Sequence, residues 1–572
     1  MAPLKLNLDF YSGRNLYSDG DIEDEILYIV KTKTDFSDIL FNENRWPILY
    51  HLSPIRRNLM KWYDFNNNAR LLEIGAGCGA LTGLFCEKVK GVVAVELSKK
   101  RAEVIATWHR DKSNLEIIVG NLNDISFKEK FDYVTLIGVL EYSGKFTDSS
   151  DPYYDFLKQV KRYLKPDGTL ILAIENKFGL KYWAGAKEDH SGNYFESIEN
   201  FLNDDSIRTF GKTELEDLLK LAGFTNTNFY YPVPDYKLPE QIFSDDFLPD
   251  IGQIKGVSPN YDGERMVLFN EARVCDNIII NKEFPFFANS FLVFCNNTGD
   301  RSKIIYSKFN SVRMPKFQIE TSISKENDKL KVLKKPITLE AKGHIDKIYD
   351  NYQLFKNYYK NINMAGAQLE NGNIILEFVE GKTLERLLID AILKKDLLEF
   401  YILLDRYVDF IMNLSMSVND DLGEKEDFFR MFGDFQGSGD MNHMRPANVD
   451  LNFDNIVLNE DNTFKIFDYE WIFNLDIPVN YIIFRSIEDF FVKYSEYLRK
   501  FISQKDLLER YKITTIGAEI YRSAEKRFQD YVLGIEKNYM INESYKKPII
   551  RFPNRKYTWK DILKRLKLLF SI

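Results

Sequence analysis

The chain has 572 residues, 45% apolar and 28% charged, with a formal net charge of −8. That length exceeds what one hydrophobic core serves and implies two or three domains of ordinary soluble composition. The acidic balance argues against wholesale binding to a phosphate backbone, so no nucleic-acid partner is expected, and four cysteines without C-x-x-C spacing exclude a zinc or disulfide framework and fit a reducing cytoplasm.

Residues 1–62 read as a polar N-terminal cap, helical from about residue 20. The opening "MAPLKLNLDF" lacks the apolar core of a signal peptide, and no stretch approaches the ~20 apolar residues that span a bilayer. From Arg70 to about Phe224, "RLLEIGAG", "GVVAVEL", "LEIIVGNL", "FDYVTLIGVL" and "GTLILAIEN" read as buried strands, with helical stretches such as 98–111 and 153–164 between them. This alternation predicts an α/β, Rossmann-like, doubly wound sheet. It loosens through the Pro- and Asp-rich "YYPVPDYKLPEQIFSDDFLPD", which sets the first domain at 63–275. Beyond it "SFLVFC", "SKIIYSKF", "FQIETSIS" and "KLKVLKK" read as short antiparallel strands. From Leu339 the chain is mainly helical, so 276–572 is expected to form an α+β, two-lobed unit.

Gly75, Gly77 and Gly79 follow the first buried strand and precede a helix, where glycine permits a sharp turn and close approach of a ligand. "GAGCGA" also satisfies the dinucleotide pattern, and Glu96 in "VAVEL" would meet ribose hydroxyls under either reading. The glycines alone therefore specify a nucleotide-like cofactor and leave a dehydrogenase open. Glu73, two residues before the first glycine, puts a carboxylate where a methionine-type ammonium would lie. "GNLNDI" (120–125) sets Asn121 or Asp124 to read an adenine amino group, although Asp124 serves equally well as a helix cap. With "FDYVTLIGVLEYS" and "LKPDGTLILAIEN", residues 70–225 resemble the class I S-adenosylmethionine (SAM)-dependent methyltransferases. The resemblance implies SAM as cofactor, held by Glu73, Gly75, Gly77, Gly79, Glu96 and Asn121, with the loop Gly138–Glu141 beside the sulfonium.

After the fifth strand, "ENKFGLKYWAGAKEDHSG" (175–192) lies beyond the carboxyl ends of the strands, where ligands gather in open α/β sheets. It offers Asn176, Lys177, Glu188, Asp189 and His190 as acceptor-side groups, with His190 the candidate general base; the plainer reading is a polar surface loop. Upstream, Arg56 in "LYHLSPIRRN" is either a partner for the cofactor carboxylate or a solvent-facing arginine.

A second constellation stands at "NVDLNFDNIVL" (448–458) and "FKIFDYEW" (464–471). Phosphoryl transfer from ATP needs a carboxylate near the attacking hydroxyl, oxygen ligands for Mg²⁺ and a cation on the donor phosphates. Asp450 fits the catalytic carboxylate, Asn455 and Asp468 the metal ligands, and two short strands joined by "NEDN" return Asp468 beside the first loop. Residues 285–500 resemble the protein-kinase-like superfamily, nearest its small-molecule branch. The resemblance implies Lys334 in "KVLKK", with Lys335 next, on the phosphates, Glu340 as its ion-pair partner, and "IILEFVEGKTLERLL" as hinge and helix. Three departures stand: "CNNTGDRS" offers one glycine where a Gly-rich loop belongs, Asn448 replaces the usual histidine, and Tyr469–Glu470 replace Phe–Gly, as is common in the small-molecule branch.

A methyltransferase followed by a kinase-like domain resembles bacterial O-antigen chain terminators, which phosphorylate and methylate the end of a surface polysaccharide. That resemblance implies a saccharide or lipid-linked glycan acceptor; a glycosyltransferase partner belongs to the reading in which the second domain only binds. The C-terminal "YTWKDILKRLKLLFSI" carries Trp559, Ile562, Leu563, Leu566 and Leu569 at helical spacing, for docking on its own domain or for peripheral membrane contact. The alternatives are a methyltransferase with a catalytically inactive kinase-like binding module, and an RNA or protein methyltransferase.

Overall fold

Apolar runs linked by helices at short spacing build a sheet buried on both faces. In the computed structural model, which describes residues 4–14, 20–202, 206–254, 258, 265–417, 430–435, 442–534 and 549–551, such runs fall in the first of two compact units. Residues 1–301 with 542–572 form that unit, and 302–541 the second.

The first unit's strands are β1 (Leu6–Phe10), β2 (Arg70–Ile74), β3 (Gly91–Glu96), β4 (Leu115–Gly120), β5 (Phe131–Ile137), β6 (Leu164–Glu175), β7 (Asn226–Val233), β8 (Gln241–Ser244), β9 (Arg265–Val267) and β10 (Ser290–Asn296). All but β9 share one sheet, in the order β1-β4-β3-β2-β5-β6-β10-β7-β8. β1 to β6 run parallel, whereas β10 is antiparallel to β6 and β7 and β8 is antiparallel to β7. β9 pairs instead with Ile549–Arg551. The helices that position the site are α1 (Ile22–Thr32), α2 (Trp46–Leu52), α3 (Thr82–Lys88), α4 (Lys99–Trp108), α5 (Pro152–Tyr163) and α6 (Lys212–Leu221). Ser98 and Asp151 cap α4 and α5 by accepting the Arg101 and Tyr154 N–H groups, each worth about 1 kcal/mol. A buried ion pair, Glu23 on α1 to Arg101 on α4 at 2.7 Å, fixes the N-terminal helices to the sheet layer.

Two expectations change here. The helical cap over 1–62 omits β1, which adds a parallel edge to β4; its partner lies far along the chain, so nothing local marks it. "SFLVFC" is β10, and every residue of that strand is buried. A run apolar on both faces belongs inside a sheet, and β10 lies between β6 and β7. The first unit accordingly continues to Arg301, past residue 275.

In the second unit, β11 (Ile304–Phe309), β12 (Ile319–Glu326), β13 (Lys329–Pro336), β15 (Ala367–Glu370) and β16 (Asn373–Glu377) make an antiparallel sheet ordered β11-β12-β13-β16-β15. The helix α7 (Lys342–Tyr358) packs against β13 and β15. "CNNTGDRS" therefore follows the last strand of the first sheet and joins no two strands of the second; the β11–β12 connection is "NSVRMPKFQ", which has no glycine. The helices α8 (Leu384–Lys394), α9 (Leu397–Asn413), α10 (Val479–Leu498) and α11 (Thr515–Leu533) follow. Among them β17 (Ile456–Leu458) and β18 (Phe464–Ile466) pair antiparallel, and β14 (Asn363–Met364) lies parallel on β18. Among the described residues no helix is long and apolar enough to cross a membrane. The stripe from Trp559 to Leu569 lies outside the described residues.

Candidate functional site

Strand order reverses between β2 and β5, and an open α/β sheet binds its ligand over the carboxyl ends at that point. A cavity of about 420 Å³ lies there. Its floor is the turn after β2. Gly75 has φ +69° and a Cβ there would stand 2.5 Å from Val139 Cγ2, so only glycine fits. The Gly77 N–H donates to Glu96 Oε2 at 2.8 Å and the Ser98 N–H to Oε1 at 2.9 Å, which fixes the Glu96 carboxylate in the wall; burial pushes its pKa up, against Arg101 and these N–H groups. Glu73 is buried beside the turn and accepts the Thr82 hydroxyl at 2.6 Å. Burial pushes Glu73 up to about 8, opposed by that hydrogen bond and reinforced by Glu96. A neutral carboxyl of this kind ionises readily beside an incoming ammonium.

Glu73, Gly75, Gly77, Glu96, Asn121, Gly138 and Glu141 all border the cavity. Gly79 does not. Its role is structural: at φ +88° its carbonyl accepts the His109 Nε2–H at 2.8 Å, holding the turn against α4. Asp124 is also removed from the cofactor side. It ends the turn Leu122–Asp124 and is exposed, whereas Asn121 and Asn123 line the cavity and both donate to the Phe146 carbonyl, at 3.2 and 2.9 Å.

The opposite end of the cavity is built from "VLEY", the end of β6 and the loop after it. His190 Nδ1 donates to Glu188 Oε1 at 2.9 Å, and Nε2 faces Glu141 Oε1 at 3.8 Å. Glu188 is itself held by the backbone N–H groups of His190 and Ser191, both at 2.7 Å. Burial opposes charge on His190, yet the Glu141 and Glu188 carboxylates hold its pKa well above the usual range. Asp189 joins Lys181 and Lys237, each at 2.7 Å, and Lys237 reaches Glu175 at 2.8 Å. His190 is thus no surface histidine. Asn176 and Lys177 turn away from the cavity: Asn176 donates to the Phe286 and Ala288 carbonyls, and Lys177 pairs with Glu214. Arg56 is 4% exposed, so the solvent-facing reading fails; it borders the cavity and donates to the Tyr236 and Lys237 carbonyls, both at 3.0 Å.

Sequence reasoning missed Glu175, Tyr236 and Lys237, which line this end. An acid closing the otherwise apolar "TLILAIE" was an available signal for Glu175; nothing local marked the other two.

In the second unit Lys334 Nζ contacts both Asp468 oxygens at 2.8 Å, and Glu470 Oε2 lies 3.8 Å away. Burial opposes the Lys334 charge, but these carboxylates raise its pKa. Glu340 is not its partner: it is exposed on the turn before α7, which begins only at Lys342. Glu470 instead collects Arg313, from the β11–β12 connection, and His344 at 2.9 Å. Asn448 spans the two loops, donating to the Asp468 carbonyl and accepting the Asp450 N–H, both at 3.0 Å. Asn455 Nδ2 donates to the Asp450 carbonyl at 2.9 Å, and Arg485 meets Asp450 Oδ1 at 2.5 Å. Burial pushes Asp450 up to about 6, with Arg485 opposing. Lys334, Asp450, Asn455 and Asp468 therefore lie in one neighbourhood, joined by Asn448.

Residues 72–172 match a family model described as a methyltransferase domain. Over 142 residues the chain is 29% identical to a ubiquinone biosynthesis O-methyltransferase of Pelagibacter ubique, covering 23% of this chain and 56% of that one. It thus spans about half the length of that relative. Over 228 residues it is 25% identical to ribosomal RNA small subunit methyltransferase A of Mycoplasma mycoides, covering 38% of this chain and 76% of that one. A solved phosphoethanolamine N-methyltransferase of Haemonchus contortus, bound to phosphoethanolamine and S-adenosylhomocysteine, overlays with 14% identity and a TM-score of 0.28, over 49% of this chain and 50% of that one. Residues 72–172 carry a methyltransferase domain, and the match supports SAM-dependent methyl transfer.

Proposed function

We propose that the chain is a bifunctional enzyme that transfers a methyl group from SAM in its first unit and a phosphoryl group from Mg·ATP in its second, to a saccharide-type acceptor in bacterial surface polysaccharide assembly. One observation carries the methyl-transfer half: a single cavity runs from Glu73 and Glu96 at the glycine turn to Glu141, Glu175 and His190 at the far end. An acceptor oxygen held at that end lies where basic side chains take its proton as it gains the methyl group.

For phosphoryl transfer, the donor set fits magnesium and nucleotide. Asn455 commits Nδ2 to the Asp450 carbonyl, which leaves Oδ1 for a cation, and the Asp468 carboxylate, held by Lys334 Nζ at 2.8 Å, is freed for one when that lysine turns to the donor phosphates. Lys334 would carry the donor phosphates, Asp450 would accept the hydroxyl proton, and Arg313 brings a second cation where a Gly-rich loop is missing. The order of the two units supports the glycan acceptor, lipid-linked or free; a second unit that only binds would recruit a glycosyltransferase partner. The ribosomal RNA relatives favour a second reading, methylation of RNA, against which stands the net charge of −8.

The test is dual labelling: full-length chain with [γ-³²P]ATP, [methyl-³H]SAM and a short bacterial O-polysaccharide, beside an RNA acceptor. Both labels on the glycan support the proposal. Tritium without phosphorus makes the second unit a binding module, and tritium on RNA alone refutes the glycan acceptor.

A further inference from the structure

The far end of the cavity holds more charge than proton abstraction requires. Glu141 and Glu175 stand at the carboxyl ends of the neighbouring strands β5 and β6, 1% and 0% exposed, and both border the cavity. One oxygen of each, Glu141 Oε2 and Glu175 Oε2, is buried with no hydrogen-bond partner among the described residues. An unpaired buried carboxylate oxygen costs several kcal/mol in general, so one on each of two neighbouring glutamates marks a place made for a cation.

His190 completes the set. One ligand atom from each of Glu141, Glu175 and His190 lies within 4.8 Å of the others. The ring is aimed from behind: Nδ1 is engaged by Glu188 Oε1, while Oε2 of the same carboxylate is pinned by two backbone N–H groups, so Nε2 is the nitrogen turned toward Glu141. A carboxylate behind one ring nitrogen is the usual outer-shell support of a metal-ligating histidine. The directly linked charges agree. Among the described residues Glu141, Glu175, Glu188 and Asp189 are joined to Lys181, Lys237 and His190, so a dication that takes the place of the His190 proton balances the four carboxylates.

We infer that Glu141, Glu175 and His190 bind a divalent first-row transition cation, of the Mn²⁺ or Zn²⁺ class, which holds and activates the acceptor hydroxyl. Imidazole with carboxylates selects such ions over Ca²⁺ and Mg²⁺. Bonds of about 2.0–2.2 Å would draw the three ligand atoms together by roughly 1 Å from their present spacing. The inference rests on the methyl-transfer reading for its chemistry and deepens it. A hydroxyl on the cation loses its proton to water, its oxygen forms the bond to the methyl carbon, and the carbon–sulfur electron pair stays on sulfur. His190 is then a ligand, and the cation supplants direct proton abstraction.

Mn²⁺ binding to the metal-stripped full-length chain tests this. An Asp468→Ala background removes the proposed site of the second unit, and calorimetric SAM binding reports an intact first unit. One Mn²⁺ per chain is expected by electron paramagnetic resonance, with spin-echo modulation from a single imidazole nitrogen. Glu141→Gln and Glu175→Gln should each weaken binding at least tenfold, and His190→Gln should abolish the nitrogen signal. A SAM-binding parent that takes up no Mn²⁺, or whose Mn²⁺ affinity survives both glutamine variants, overturns the metal site alone. A parent that fails to bind SAM overturns the methyl-transfer reading and this role with it.

Discussion

Replacing Glu73 by glutamine separates two demands on one side chain, a buried place in the fold and a charge for the cofactor. With its pKa pushed up to about 8 by burial, roughly nine-tenths of Glu73 is neutral at pH 7. The ammonium of SAM favours the carboxylate, so binding at pH 7 should release about 0.9 proton per SAM. Affinity should climb from pH 6 to pH 8 by about fifty-fold and then level off. The sign for stability is the opposite. Because the native pKa lies above the unfolded value of 4.5, the folded state binds the extra proton, and stability falls as pH rises from 4.5 through 8. The full cost is on the order of 5 kcal/mol above pH 8. Glu73→Gln should therefore melt higher than the wild type at pH 9 without ligand, yet bind SAM weakly and release no proton. Calorimetry in two buffers of different ionisation heat measures the proton count. A wild type that releases no proton at pH 7, or a variant that releases as many, would refute the argument that Glu73 ionises against the ammonium.

Other positions make narrower claims. Gly75→Ala places a Cβ 2.5 Å from Val139 Cγ2 at φ +69° and should weaken SAM at least tenfold, whereas Gly77→Ala meets only His51 Cε1 at 3.9 Å and should lower stability in urea titrations by the ~1 kcal/mol of its backbone strain. His109, driven down to about 4 by burial, is neutral in the fold; acidification from pH 6.5 to 4 should remove about 3 kcal/mol of stability, and His109→Gln should flatten that slope in urea titrations. Asp468→Asn should abolish thermal stabilisation by Mg·ATP and leave SAM affinity unchanged, with Glu470 still near Lys334 to limit the damage to folding.

The glycine turn was legible because its physics is local. Gly75, Gly77, Glu73 and Glu96 act through the backbone of one strand–turn–helix and the tip of the next strand, so a short window contains the whole device. Gly79 and Asp124 fit the same window and were misplaced for that reason. Whether a residue faces the cavity or the α4 side depends on packing, here on His109 reaching back to the Gly79 carbonyl. β10 failed for a related cause. Its apolar run is consistent with any buried strand, and only pairing with β6 and β7 decides which sheet it completes.

The acceptor end was half legible, and the missing half determines its chemistry. His190 and Asp189 announce themselves in "KEDHSG", but a histidine alone is an ambiguous base. Its character comes from Glu141 after β5, Glu175 at the end of β6, and Lys237, which arrives from a Pro-rich stretch that reads as a loosening of the fold. Lys237 answers Glu175 and Asp189 together, which lets a fully buried carboxylate and a half-buried one stay ionised so close to a third. Without that lysine, Glu175 would take up a proton and the free oxygens facing the cavity would lose their charge. Cation or acceptor, whatever binds there depends on a contact some sixty residues away in sequence, and no spacing rule within the 175–192 segment contains it.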